Sequence, residues 1–285
     1  MASRLRVWLL AGPPFSAAQY RATQARLHAL RPELEVEAVA VSTLGSGWEE
    51  AAASLAARVA EGDVVYAHGL AVPVACGLAA RTRLGGLLLG NGPLRRLDAL
   101  TDTALRVAAL PGAGALLFRE SVWLWWLRSS VGLRRAVNNP YAMDRDTVAT
   151  ICGDLVASPA ASVALRNWLL SLRQPWPDPA SLPRPVALLW GDNDRLHPLS
   201  EADEIDAVRG GGCITVQAGG RFAWPEEMPW ALADAVLSAV AKASEAGPVS
   251  VVEPSPKPLP AAVTTGKSRS GRGGAPRKTS PDGKR

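Results

Sequence analysis

The sequence predicts an α/β fold, a mostly parallel sheet flanked by helices, with a helical segment inserted into it. Three observations predict it. Short apolar runs of strand length alternate with amphipathic runs of helix length through residues 1–94, and the same alternation resumes over residues 184–247. Between them, residues 95–183 keep helical spacing, are rich in Trp and contain no convincing strand. Beyond them, residues 248–285 carry almost no large apolar side chains and are expected to be a disordered basic tail.

Each element follows from its local pattern. "LRVWLL" is a buried strand ended by the Gly/Pro turn of "AGPPFS". "SAAQYRATQARLHAL" has helical spacing and stops before Pro32. "LEVEAVAVS" alternates as a strand, and "GWEEAAASLAARVAEG" is an amphipathic helix expected to close at Gly62. "DVVYAH" is a strand, "VPVACGLAART" a helix and "LGGLLLGNG" a strand. Continuous apolar strands of this kind argue for a sheet covered on both faces. In the helical insertion, "ALLFRESVWLWWLRSSVGLRRAV" is apolar around most of its circumference. It is read as a helix packed against the rest of the insertion, or as an apolar wall over a pocket. "PRPVALLWGDND", "LSEADEIDAV", "CITVQAGG" and "PEEMPWALADAVLSAVAKA" then give strand, helix, strand and closing helix.

Hydrophobic residues make up 48% of the 285, enough for a sizeable core. The formal charge of +5 is uneven. Residues 248–285 hold eight basic and two acidic residues, a charge of +6, which leaves −1 for residues 1–247. A nucleic-acid reading of the folded part is therefore excluded. The tail alone suits weak, salt-sensitive binding to a polyanion, or else serves as a solubilising extension; without aromatics between its charges, base reading is not expected. Ala, Leu, Arg and Gly dominate, as a GC-rich, bacterial-like coding bias would produce. Cys76, Cys152 and Cys213 are scattered, match no metal spacing, and read as buried free thiols; no metal and no cofactor are expected. The opening apolar run is too short for a signal-peptide core, and no segment approaches ~20 uninterrupted apolar residues, so a cytoplasmic protein with no membrane contact is expected.

Four segments, in order, make residues 5–242 resemble the α/β-hydrolase fold family, in its capped form. Ala67-His68-Gly69-Leu70-Ala71 resembles the nucleophile elbow, with Gly69 where the nucleophile would stand. "LLWGDNDRLHP" resembles the strand end that carries the catalytic acid, with Asp194 in that position. "VQAGGRFAWPEEMP" resembles the turn that carries the catalytic His, with Arg221 in its place. "LLAGPPFS" resembles the oxyanion loop, where Gly12 marks the turn and the N–H groups of Phe15, Ser16 and the elbow residue Leu70 are the candidate donors.

The resemblance implies the scaffold and one acid of a hydrolase, without its nucleophile or base. Gly69 offers no nucleophilic atom, and a guanidinium that stays protonated is no general base. The expected protein is a catalytically inactive member that binds a small apolar or anionic ligand, or a protein. The alternative is a hydrolase or lyase acting on a small ester-like or apolar substrate, with Asp194 and His197 as an acid–base pair; His197 is otherwise a surface-loop residue. His68 is read as a hydrogen-bonded structural residue. Arg221 and Asp194 are expected to pair, as a structural substitute or as an anchor for an anion.

Overall fold

Alternation along the first strand sets the layers of the molecule. The computed structural model describes residues 5–110, 112–130, 132–183 and 185–245. In β1 (Arg6–Ala11), Val7, Leu9 and Ala11 enter one apolar layer with Tyr20, Leu27 and Leu232, while Trp8 and Leu10 enter another with Leu55, Val72 and Leu78. The period of two sends successive side chains to opposite faces, so a strand apolar throughout needs cover on both.

The chain continues through α1 (Arg21–Leu30), β2 (Glu35–Ala40), α2 (Trp48–Ala56), β3 (Val64–His68), α3 (Val72–Ala79) and β4 (Gly86–Gly90). Between β4 and the next strand lie α4 (Ala99–Ala109), α5 (Ala113–Leu117), α6 (Glu120–Arg128), α7 (Arg145–Cys152) and α8 (Pro159–Ser171). Then come β5 (Val186–Gly191), α9 (Leu199–Val208), β6 (Ile214–Gln217), α10 (Trp224–Glu227) and α11 (Pro229–Glu245). The six strands among the described residues are parallel, in the order β2-β1-β3-β4-β5-β6. Strands β3 and β4 are wholly buried, whereas the edge strands β2 and β6 are part exposed. Helices α1 and α11 pair on one face, α2 and α3 on the other.

The order reverses between β1 and β3, the first leading outward to β2 and the second toward β4. A crevice between diverging loops forms at such a switch point, beyond the carboxyl ends of the strands. The Gly12 loop and the Gly69 turn both lie there.

Two expectations are corrected. Helix α2 ends at Ala56, not at Gly62. The buried Asp63 carboxylate draws the chain out of the helix by accepting the Ala60 N–H at 3.0 Å and the Trp8 indole N–H at 2.9 Å. The Trp-rich segment is not one helix but α5, α6 and a following turn. In α6, Trp123 and Leu127 are buried while Trp125 is 69% exposed, so only one face packs. Of the cysteines, Cys76 and Cys152 are buried and Cys213 is part exposed. The expected disordered tail, 248–285, lies outside the described residues.

Among the described residues no single helix is long and apolar enough to cross a membrane. The pair Arg145–Val156 and Pro159–Ser171 is apolar enough jointly, but it bends by 83° and its Val148, Ile151, Leu165 and Trp168 lie in the core.

Candidate functional site

The elbow forms because a fully apolar strand meets a helix across small residues. His68 is still extended, Gly69 turns at φ +59°, and Pro73 sits in the first turn of α3, where its missing N–H costs nothing. A left-handed φ favours glycine, so the residue at this turn is the one the backbone tolerates best. The Gly69 N–H donates to the Asn91 carbonyl at 2.8 Å. The oxyanion-type loop lies directly on this turn: a Cβ at Gly12 would stand 2.2 Å from the Ala71 nitrogen and 2.9 Å from the Leu70 nitrogen. The small residues expected at these positions are therefore required by close backbone approach.

The space above Gly69 is filled. A Cβ built there would meet Phe222 Cζ at 2.9 Å. The Phe222 ring also stacks on Phe15, with centroids 5.9 Å apart, and lies 5.0 Å from His68 and 5.8 Å from His197. From the loop after β6, the side chain that reaches the elbow is thus Phe222. Arg221 is half-buried and donates from Nη1 to the Val137 carbonyl at 3.1 Å.

The expected Arg221–Asp194 pair does not form among the described residues. Asp194 instead accepts from Asn91 Nδ2 at 3.0 Å, from the Leu196 N–H at 2.9 Å and from the His197 backbone N–H. Burial pushes its carboxyl up to about 6, against the pull of these donors. Asn91 is the hub. Its Oδ1 accepts the Gly191 N–H at 2.8 Å and the Trp224 indole N–H at 3.0 Å, and its Nδ2 also donates to the Gly191 carbonyl at 3.2 Å. It ties the ends of β4 and β5 to α10.

The oxyanion loop also differs from expectation. The Phe15 N–H donates to the Gly12 carbonyl at 3.0 Å and the Ser16 N–H to the Ile151 carbonyl at 2.6 Å. Both donors are consumed, the second by the inserted helices. The Ser16 hydroxyl caps the next turn, accepting the Ala18 N–H at 3.3 Å. Leu70 is half-buried under Gly12.

Both ring nitrogens of His68 are hydrogen-bonded. Its Nε2 lies 2.6 Å from the Phe222 carbonyl, which can only accept, so Nε2 carries the proton; Nδ1 then accepts the Tyr66 hydroxyl at 3.2 Å. Burial lowers its pKa to about 3. His197 is buried rather than exposed on a surface loop. Its carbonyl accepts the Trp190 indole N–H at 2.8 Å, its Nδ1 has no partner among the described residues, and burial lowers its pKa to about 4. It meets Asp194 through its backbone N–H.

These shifts give a signed pH dependence. Below pH ~6.5 the unfolded chain protonates both histidines and the folded chain does not, so their contribution to stability falls as pH drops toward 4. Asp194 and Glu226, pushed up by burial to about 6 and about 7, work the other way, holding their protons in the fold. The two pairs oppose each other, and removing one imidazole isolates its share. Replacing His197 with Asn is expected to shift the stability change from pH 6.5 to pH 5 by about 2 kcal/mol in the stabilising direction. Urea unfolding of both proteins at the two pH values measures it; the same pH change in both would show that His197 takes up its proton in the fold.

Phe222 and Asn91 were not singled out from sequence. The signals present were an aromatic directly after the Gly-Gly turn and a lone polar residue at the end of an apolar strand. Among the described residues no group of three or more His, Cys, Asp and Glu converges to hold a metal.

No protein-family model and no curated protein sequence matches the chain. Solved structures do. A thermophilic esterase from Thermogutta terrifontis, malate bound, is 19% identical over 84% of this chain and 90% of its own, with a TM-score of 0.64. The haloalkane dehalogenase DbeA from Bradyrhizobium elkani USDA94 is 16% identical over 86% and 93%, at 0.66. The epoxide hydrolase CorEH without ligand is 17% identical over 84% and 92%, at 0.65. At such identities the likeness is one of architecture, and it is extensive: the chain has the α/β-hydrolase fold.

Proposed function

We propose that this chain uses the α/β-hydrolase fold for binding and not for acyl hydrolysis. One observation carries the reading. The place that a nucleophile's side chain would take at Gly69 is occupied by the Phe222 ring, with 2.9 Å between its Cζ and a Cβ position. The reactive atom is absent, and the Phe222 ring crowds the space where a substrate's carbonyl would stand over it. The consumed N–H groups of Phe15 and Ser16 support the same reading, because a developing oxyanion would find neither free. Loss of triad members from a serine hydrolase costs about 10⁴–10⁶-fold in turnover.

A panel of activated esters tests this on the full-length protein, with Asp194→Asn as control. Both are expected to turn over at the buffer rate. Wild-type turnover that Asp194→Asn abolishes would make Asp194 catalytic and the reading wrong.

A second reading is favoured by one feature, the buried His197 with an unpartnered Nδ1 beside Phe222 and Asp194. It makes the chain a hydrolase or lyase with a base at His197. It predicts turnover that is lost in His197→Gln and falls with acid below the His197 pKa.

A further inference from the structure

The Gly69 turn is filled, but a cavity of about 920 Å³ opens elsewhere, where the start of α4, the loop after α8 and the β5–α9 loop come together. Four arginines line it: Arg95 and Arg96 before α4, Arg173 after α8, and Arg195 next to Asp194. Neither Gly69 nor Phe222 lines it. We propose that this cleft binds an amphiphilic organic anion, a carboxylate or phosphate head on an apolar body.

The charges decide the sign. Three acids also line the cleft: Asp98, Asp102 and Glu201. Asp102 is committed to Arg106, outside the lining, at 2.8 Å, and Asp98 Oδ1 accepts the Thr101 N–H at the start of α4 at 2.9 Å. Glu201 is pushed up by burial, with Arg96 opposing that shift. On the basic side, Arg95 is committed to Asp178 at 3.0 Å and to Glu204 at 3.6 Å. Among the described residues the guanidiniums of Arg173 and Arg195 have neither ion pair nor hydrogen bond. Two planar forks with unused donors, lining one cleft, match a carboxylate or phosphate. The first turns of α4 and α9 contribute Ala99, Asp102 and Glu201 to the lining, so helix N-terminal partial charge adds to the positive field.

The apolar half comes from the floor. Leu97, Trp176 and Leu196 line the cleft and pack against the core beneath it. Trp176 is anchored by its indole N–H on the Leu94 carbonyl at 3.1 Å, which fixes the ring as a flat wall. A volume of about 920 Å³ is at the upper end of the range for small-molecule sites, roomy for a head and a chain of several carbons.

The proposal rests on the reading of the chain as a binding module, and it is tested by binding alone. Ester turnover would overturn that reading and leave this result untouched. Calorimetric titration of the full-length protein with decanoate and decyl phosphate, with decanol and inorganic phosphate as the two halves, is compared with the same titrations of Arg173→Ala/Arg195→Ala. Both arginines are exposed, so the variant is expected to keep the wild-type unfolding midpoint; Arg173→Gln/Arg195→Gln replaces it if it does not. The basic tail is common to all proteins tested, so a difference reports the cleft. At least one amphiphilic anion is expected to bind, weakening tenfold or more in the variant and weakening with salt, with each half-ligand at least tenfold weaker than the whole. Decanoate against decyl phosphate identifies the preferred head. No binding by either, equal binding by the variant, or decanol binding as tightly would overturn the proposal.

Discussion

Asn91→Leu is expected to lower the stability of the fold by about 2–6 kcal/mol, because two buried donors lose their acceptor at about 1–3 kcal/mol each. Asn91 is fully buried, and its Oδ1 accepts both the Gly191 N–H and the Trp224 indole N–H. Leucine nearly matches its shape, so the loss isolates hydrogen bonding from packing. The same substitution removes the Nδ2 donor from Asp194, which holds that carboxyl down, so the Asp194 pKa is expected to rise above about 6. Urea denaturation reads the first effect and carboxyl titration by NMR the second. A loss under 1 kcal/mol with an unmoved titration would mean that water replaces the amide and that Asn91 is not the hub.

Gly69→Ser is the second large effect, expected at about 2–4 kcal/mol: about 1 from the left-handed backbone and about 1–3 from overpacking on Phe222. The turn is at φ +59°, and the added Cβ meets Phe222 Cζ at 2.9 Å. Phe222→Ala alone is expected to cost about 3–5 kcal/mol, since the ring packs between Phe15, His68 and His197 and leaves a cavity. In the double variant the new side chain occupies space the ring has left. The overpacking part of the Gly69→Ser loss should vanish, giving a favourable coupling of about 1–3 kcal/mol. Additive losses would show that Phe222 yields without strain and does not fill the site.

These two predictions mark where sequence stopped being informative. The elbow was legible because its requirements are local: an apolar strand, a turn with φ above zero and small neighbours leave a readable pattern at Ala67–Ala71. Asp194 was singled out because it closely follows a strand in a run that resembles the acid segment. Its partner was not. Arg221 stood in the expected register, yet the side chain that turns inward is Phe222, one residue later, while Arg221 reaches the Val137 carbonyl. Which of two neighbours faces a site depends on the twist of a loop held at both ends, and no periodicity encodes that. His197 illustrates the same limit: a loop position suggests solvent, but the Trp190 indole on its carbonyl and the Phe222 ring beside it bury the imidazole.

By itself the sequence determined the fold class, the strand and helix order, the helical insertion and the absence of a nucleophilic atom at position 69. Those follow from hydrophobic period, from turn chemistry and from residue identity, all properties of short stretches. Only the tertiary structure decided what stands over Gly69, that the Phe15 and Ser16 donors are spent, that Asn91 binds three elements together, and that Arg173 and Arg195 share one cleft across 22 positions of sequence. The physical reason is common to all four. Each is a contact between residues brought together by sheet order and packing, and a contact of that kind leaves no local pattern in a single chain.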